Sequence, residues 1–350
     1  MTKHRDYSLS GPASAAPVLD GAPVEGRLRV RWWVPKITTE RLVELRQPSD
    51  QPALNNFLLW LALLLVSGLI AYFSWGTLWA VPAFFAYGTI YSSSDARWHE
   101  CSHGTAFQNQ TLNRWFYELS SFMTLREAYL WRYSHTRHHT HTVIVGQDPE
   151  IQVARPADLL KILMDFAFLR SGPVEMARIL RHAFRGLGPD EVVYVPPKAR
   201  ARLIRSSRIY VALWAALLLW CLALGSILPA MFVILPRFYG GWLHQLLALT
   251  QHAGLVENTS DHRLNSRTIY LNPVFGFLYM NMNYHIEHHV SPTVPYHALP
   301  AYHDAIKAQC PAPYTGVWDV YREMIPVLWR QAFGAPDEHI LRTLPTATLV

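Results

Sequence analysis

Apolar positions in this chain gather into two long uncharged blocks instead of the alternating stripes of a soluble domain. No Asp, Glu, Lys, Arg or His lies between Asp50 and Asp95. A membrane-spanning helix needs about 20 apolar residues, so this interval predicts a hairpin of two passes, 57–75 and 77–93, broken at Gly76. The second block follows Arg208 and is uncharged from Ile209 to Pro236. Continuing through Arg237 and His244 toward Gln251, it is long enough for another two passes with a turn near Gly225 and Ser226. Buried helices of a soluble core are the competing reading, and two uncharged intervals of this length are hard to enclose in a water-soluble protein. Between the blocks, 156–185 sets Leu159, Leu160, Leu163 and Phe166 against Lys161, Arg170, Arg178 and Arg181 at helical spacing. That pattern suits a helix lying among lipid headgroups, or equally a cap packed on the catalytic part.

The expected fold is therefore all-α: a multi-pass membrane protein with two transmembrane hairpins and a cytoplasmic helical cap. Its segments are 1–50, hairpin 51–94, a central segment 95–208, hairpin 209–250 and a last segment 251–350. Basic residues orient it. Eight Lys and Arg precede the first hairpin, sixteen lie between the hairpins, six follow Gln251 and only Arg237 falls inside a pass. By the positive-inside rule both termini and the central segment face the cytoplasm. The formal charge of +6 is thereby explained by topology, with no need for nucleic acid. The first residues have no apolar core of a signal peptide, and the Ala, Pro and Gly-rich stretch to Gly26 reads as a mobile tail.

Composition agrees with a membrane protein: 51% of residues are hydrophobic and 16% charged, against about 25% charged in soluble domains. Cys101, Cys221 and Cys310 are too far apart for a CxxC pair, so neither a disulfide framework nor a thiolate metal knuckle is implied. Histidine changes the picture. Seventeen are present, and most fall in three clusters: His99-Glu100-Cys101-Ser102-His103, His135-Thr136-Arg137-His138-His139-Thr140-His141, and His285-Ile286-Glu287-His288-His289.

Residues at i, i+3 and i+4 share a helix face, so each pair or trio can close on a metal. With His252, just past the last pass, the set is His99, His103, His135, His138, His139, His252, His285, His288 and His289. Nine imidazoles exceed the four ligands of a tetrahedral zinc and suit two ions of five or six ligands. Imidazole serves zinc, copper, iron and nickel alike, so spacing does not choose the metal. His141 falls off the shared face, and His244 reads as a helix-packing residue. HECSH also matches H-E-x-x-H, in which the Glu would be the base of a zinc protease, but that reading leaves two full clusters without a purpose.

At these clusters the chain resembles the membrane fatty-acid desaturase/hydroxylase superfamily, whose signature is HxxxH, HxxHH and HxxHH. The order, the intervals and the two intervening hairpins match from about Leu54 to Leu299. The phrases WHECSHGTAF, GQDPEI, LTQHAGL and NMNYHIEHH look most like a bacterial branch tied to rhizobitoxine desaturation and rhizopine breakdown. The resemblance implies two non-haem irons held by those nine histidines, activation of O2, and electrons from a separate ferredoxin, Rieske-type protein or cytochrome. It implies desaturation or hydroxylation of a fatty-acyl or other alkyl substrate in the membrane; the bacterial branch offers a small polar metabolite instead. Some relatives carry an Asn one turn before the histidine matched by His252, where this chain has Ala248. Glu100, Asp148 and Glu287 are candidates to orient imidazole N–H groups. Arg237, a charge inside a pass, is a candidate contact for a substrate carboxylate or phosphate, or else pairs with an internal acid.

Overall fold

A computed structural model describes residues 5–9 and 31–345. Most of the stretch read as a mobile tail lies outside the described residues. Those described are helical, with three isolated β-bridges and no strand among them.

Helices α1 (Thr39–Leu45) and α2 (Asp50–Ser74) lead into the first apolar block. Helix α2 ends where Gly76 turns the chain at φ +82°, a left-handed conformation that glycine adopts without a Cβ clash. The chain returns as α3 (Ala80–Ser92) and, after Ser93, α4 (Ser94–His103), which carries the first histidine cluster. Arg97 pins α4 in place: it is fully buried, donates to Asn56 Oδ1 of α2 at 2.9 Å and lies 4.7 Å over the Trp60 ring. Helices α5 (Gln110–Met123) and α6 (Ala128–Thr140) follow, the latter bearing the second cluster. The Glu127 carboxylate caps α6 by accepting from Leu130 N at 2.7 Å.

The basic and apolar stretch forms α7 (Leu159–Asp165) and α8 (Ser171–Arg185). Helix α8 buries Glu175, Ile179 and His182 and packs on α9 (Pro197–Leu224) while leaving Phe184 exposed. Helix α9 stops at Gly225, again left-handed at φ +55°. Its return differs from the single pass expected. It is broken into α10 (Leu228–Val233), α11 (Pro236–Gly240) and α12 (Trp242–His252). Pro229 and Pro236 sit in the first turns of α10 and α11, where the missing N–H and fixed φ start a helix but cannot continue one. Gly240 lets α11 cross α3 backbone to backbone, since a Cβ there would collide with the Gly88 carbonyl.

Two helical stretches among the described residues are long and apolar enough to cross a membrane, Thr39–Ser74 and Pro197–Leu224. Only 22% and 17% of their most apolar windows are buried, and residues such as Leu65, Phe73, Leu219 and Leu222 point outward. A soluble core would enclose them. The remaining helices, α13 (His262–Asn265), α14 (Pro273–Leu278), α15 (His285–Val290), α16 (Leu299–Ile306) and α17 (Val317–Phe333), form the last segment. Helix α15 carries the third cluster.

Candidate metal centre

The last turns of α4, α6 and α12, together with α15, converge and bring all nine histidines into two abutting groups. In the first are His99, His103, His135, His139 and His288, with potential ligand atoms all within 4.8 Å of one another. The second contains His138, His252 and His289, joined by His285, whose Nε2 lies 2.9 Å from that of His252 and 3.0 Å from that of His289. The groups touch where the His139 and His289 rings stack at 4.4 Å.

The trios do not each close on one point. They divide: His135 and His139 join the first group and His138 the second, while His285 and His289 join the second and His288 the first. A helix advances about 100° per residue, so i+4 sits about 40° to one side of i and i+3 about 60° to the other. Adjacent histidines such as His138 and His139 therefore serve different groups.

Within the groups the Nε2 atoms of His103 and His139 each approach that of His135 to 3.1 Å, and His288 approaches His139 to 3.1 Å. The outer nitrogens decide the tautomers. His135 Nδ1 faces Glu150 at 2.9 Å, His138 Nδ1 faces Asp148 at 2.8 Å and His252 Nδ1 faces the Asn265 carbonyl at 2.7 Å. Each of these partners only accepts. The Thr142 hydroxyl donates to the His138 carbonyl at 2.8 Å and so is left to accept from His289 Nδ1 at 3.1 Å. At these four the proton thus sits on the outer nitrogen, and the bare Nε2 lone pair points inward. At His135 that lone pair meets two further imidazole nitrogens, an arrangement a cation stabilises and hydrogen bonding alone does not.

Spacing provides a second test of fit. Two imidazole nitrogens each about 2.1 Å from one ion lie about 3.0 Å apart at a right angle and about 3.4 Å apart at the tetrahedral angle. The separations of 2.9 to 3.1 Å suit ions of five or six ligands. Iron, with its affinity for imidazole, fits this donor set.

Burial keeps the imidazoles neutral. Desolvation, reinforced by neighbouring histidines, pushes His99, His103, His139, His285, His288 and His289 well below the usual histidine range. Burial acts on His138 too, but the Asp148 carboxylate outweighs it and raises that residue.

Other sequence candidates fall into place differently. Asp148 does orient a cluster histidine, and its Oδ2 also accepts from Val143 N at 2.7 Å. Glu287 does not. It is fully buried, accepts from Thr268 at 2.5 Å and holds His303 Nδ1 at 2.6 Å, because α15 turns it away from the centre toward α16. Glu100 likewise hydrogen-bonds away from the imidazoles, to Thr105 at 2.7 Å and the Tyr296 N–H at 3.1 Å, and burial raises it to about 7. The protease reading has no base in that arrangement. His141 ends α6 outside both groups, and His244 approaches Asp95 at 3.3 Å. Arg237 is paired with the internal acid Asp95.

Sequence reasoning missed Glu150, Thr142 and Asn265. Glu150 stands inside the GQDPEI phrase, two residues from Asp148, and the other two carry no spacing signal. A cavity of about 330 Å³ opens on one flank of the centre and touches both groups, at His99 and His135 and at His138, His252 and His285.

Comparison with known proteins agrees with this geometry. Residues 107 in number align at 30% identity with the sn-1 acyl-lipid omega-3 desaturase (ferredoxin) of Synechocystis sp., covering 29% of this chain and 28% of that protein. The chain thus matches under a third of that relative's length. A broader match takes in residues 78–321, the model of the family described as fatty acid desaturase. Those bounds enclose all three clusters and His252, and on that match the chain belongs to the fatty acid desaturase family.

Proposed function

We propose that this protein is a multi-pass, membrane-bound, O2-dependent oxidoreductase that desaturates or hydroxylates an alkyl carbon at two irons held by the nine histidines. The observation that carries the reading is the inward convergence of imidazole nitrogens from four separate stretches. Family membership supports the reaction class. Two irons so held supply the activation of O2 and the attack on an unactivated C–H bond, chemistry that no side chain performs.

The chain's own residues bind, orient and shield. His99, His103, His135, His139 and His288 hold one ion, and His138, His252, His285 and His289 the other. Glu150, Asp148, Asn265 and Thr142 keep the Nδ1 protons in place so that Nε2 stays free to ligate. Such outer partners fix ring orientation and raise ligand basicity. The outward-facing apolar residues of α2 and α9 and the distribution of Lys and Arg support insertion with both termini and the centre on the cytoplasmic side.

Desaturation removes two hydrogen atoms from neighbouring carbons. With two electrons and two protons from a donor, one O2 then leaves as two waters. A ferredoxin, as in the name of the Synechocystis relative, is the proposed source of those electrons. The test is metal analysis of the purified chain. About two irons per chain, with O2-dependent oxidation lost in His138→Ala, support the proposal; a single zinc without iron refutes it.

A further inference from the structure

The geometry points to a small molecule bearing a carboxylate, held at Arg237, as the substrate that enters the cavity beside the histidine centre. This inference rests on the oxidative reading of that centre. The cavity is lined by imidazoles of the cluster and by charged groups: Asp95, Arg126, Lys161, Glu175, Arg178 and Arg237. Most of those charges are spoken for. Glu175 is matched by Arg178 at 2.9 Å. Elsewhere on the wall, Asp165 accepts from Ser171 N at 2.7 Å, and Glu150 from Ser134 at 2.7 Å and His135 at 2.9 Å.

Asp95 is different. It is a single buried carboxylate facing two guanidiniums, Arg126 at 2.6 Å and Arg237, with His244 at 3.3 Å. Burial alone would raise Asp95, yet the two guanidiniums hold it at about 2, so one positive charge stays in excess. Lys161 also lines the cavity without an ion pair among the described residues, but it is only half-buried, so the enclosed surplus is at Arg237. That residue is 2% exposed, and its Nη1 and Nε have no hydrogen-bond partner. Buried donors without acceptors are costly, and a carboxylate on Nη1 would supply a charge-assisted acceptor.

Position limits the size of the ligand. Asp95 precedes His99 by four residues on α4, about 6 Å along a helix. A carboxylate on Arg237 therefore sets carbons only a few bonds away over the imidazoles, with Ile162, Ala248 and Met282 against the skeleton. A long acyl chain is poorly served here. Burying each CH2 is worth about 0.8 kcal/mol when it passes from water to an apolar surface, and this wall would instead lose water from charged groups.

The test is calorimetric titration of the full-length protein in detergent, with and without iron, using hexanoate, 2-aminohexanoate, hexanamide and stearate as probes. The inference expects saturable binding of hexanoate or 2-aminohexanoate at least tenfold tighter than hexanamide, which has hexanoate's shape without its charge. It expects that preference to vanish in Arg237→Gln and partly return in Arg237→Lys. Equal binding of acid and amide, tighter binding of stearate unaffected by Arg237→Gln, or no binding of any probe overturns it. Should Arg237→Gln not fold, the acid and amide comparison on the native chain decides alone. Metal content is read separately: a protein without iron sinks the oxidative reading, while the probe comparison on metal-free protein still reports on the cavity.

Discussion

Two carboxylates separated by one residue stand behind two different histidine groups, and substituting them one at a time tests whether the groups are distinct metal sites. Glu150 Oε2 is 2.9 Å from His135 Nδ1, in the first group, and Asp148 Oδ2 is 2.8 Å from His138 Nδ1, in the second. Glu150→Leu removes the acceptor that fixes the His135 tautomer. A hydrogen bond to a charged group contributes about 1.5–3 kcal/mol, and loss of an outer partner weakens metal binding about 10- to 100-fold, or about 1.4–2.7 kcal/mol. The two estimates agree. Glu150→Gln keeps an amide oxygen facing Nδ1 and loses only the charge, so its effect is expected at the lower end, about tenfold or less. Competition against a chelator, with Fe(II) added stepwise, resolves the two equivalents. Glu150→Leu should weaken one equivalent and leave the other near its native affinity, and Asp148→Asn should weaken the opposite one. Because Asp148 Oδ1 also accepts from Glu150 N at 2.8 Å, Glu150→Leu is the deciding variant: if it shifts both equivalents together, or shifts neither, the division of the histidines into two sites is wrong.

Other outcomes follow from the same geometry. His138→Ala should abolish turnover and reduce iron to one per chain or less, whereas His141→Ala, outside both groups, should leave iron at two by elemental analysis. Gly240→Ala drives a Cβ into the Gly88 backbone and should cost about 1–3 kcal/mol or more as overpacking, read as a lower melting midpoint in detergent. Gly316→Ala meets no atom within 4 Å of the added Cβ but puts a poorer N-cap on α17 and should cost only about 0.5–1 kcal/mol. Burial raises the Glu127 carboxyl from 4.5 to about 7, against the opposing Leu130 N–H. The folded state then holds a proton that the unfolded chain releases, so this contribution is full below pH 4.5 and is lost as pH rises to about 7. Melting curves of Glu127→Gln across that window should lack the native chain's decline.

Much of the fold was written in local pattern. Two uncharged intervals predict α2 and α9 because a helix long and apolar enough to cross a membrane is defined by length and apolarity alone, and Gly76 and Gly225 mark both turns. The return legs were harder. Pro229 and Pro236 break the last one, and where α11 and α3 meet depends on the absence of side chains at Gly88 and Gly240, a contact between residues far apart in the chain. For the centre, spacing of i, i+3 and i+4 identified the clustered histidines, since helical phase is a property of the sequence.

Sequence by itself determined which imidazoles were available and that each cluster would present them from one side of a helix. Tertiary structure alone decided how they divide, because the group joined by His138 or His288 depends on how α4, α6, α12 and α15 cross. It also decided that Glu150 and Asn265 would stand behind His135 and His252, that Glu287 would turn to His303, and that Arg237 would meet Asp95. The physical reason is range: helical phase is set within a turn, whereas the partner of a buried polar atom is set by whichever distant segment packs against it.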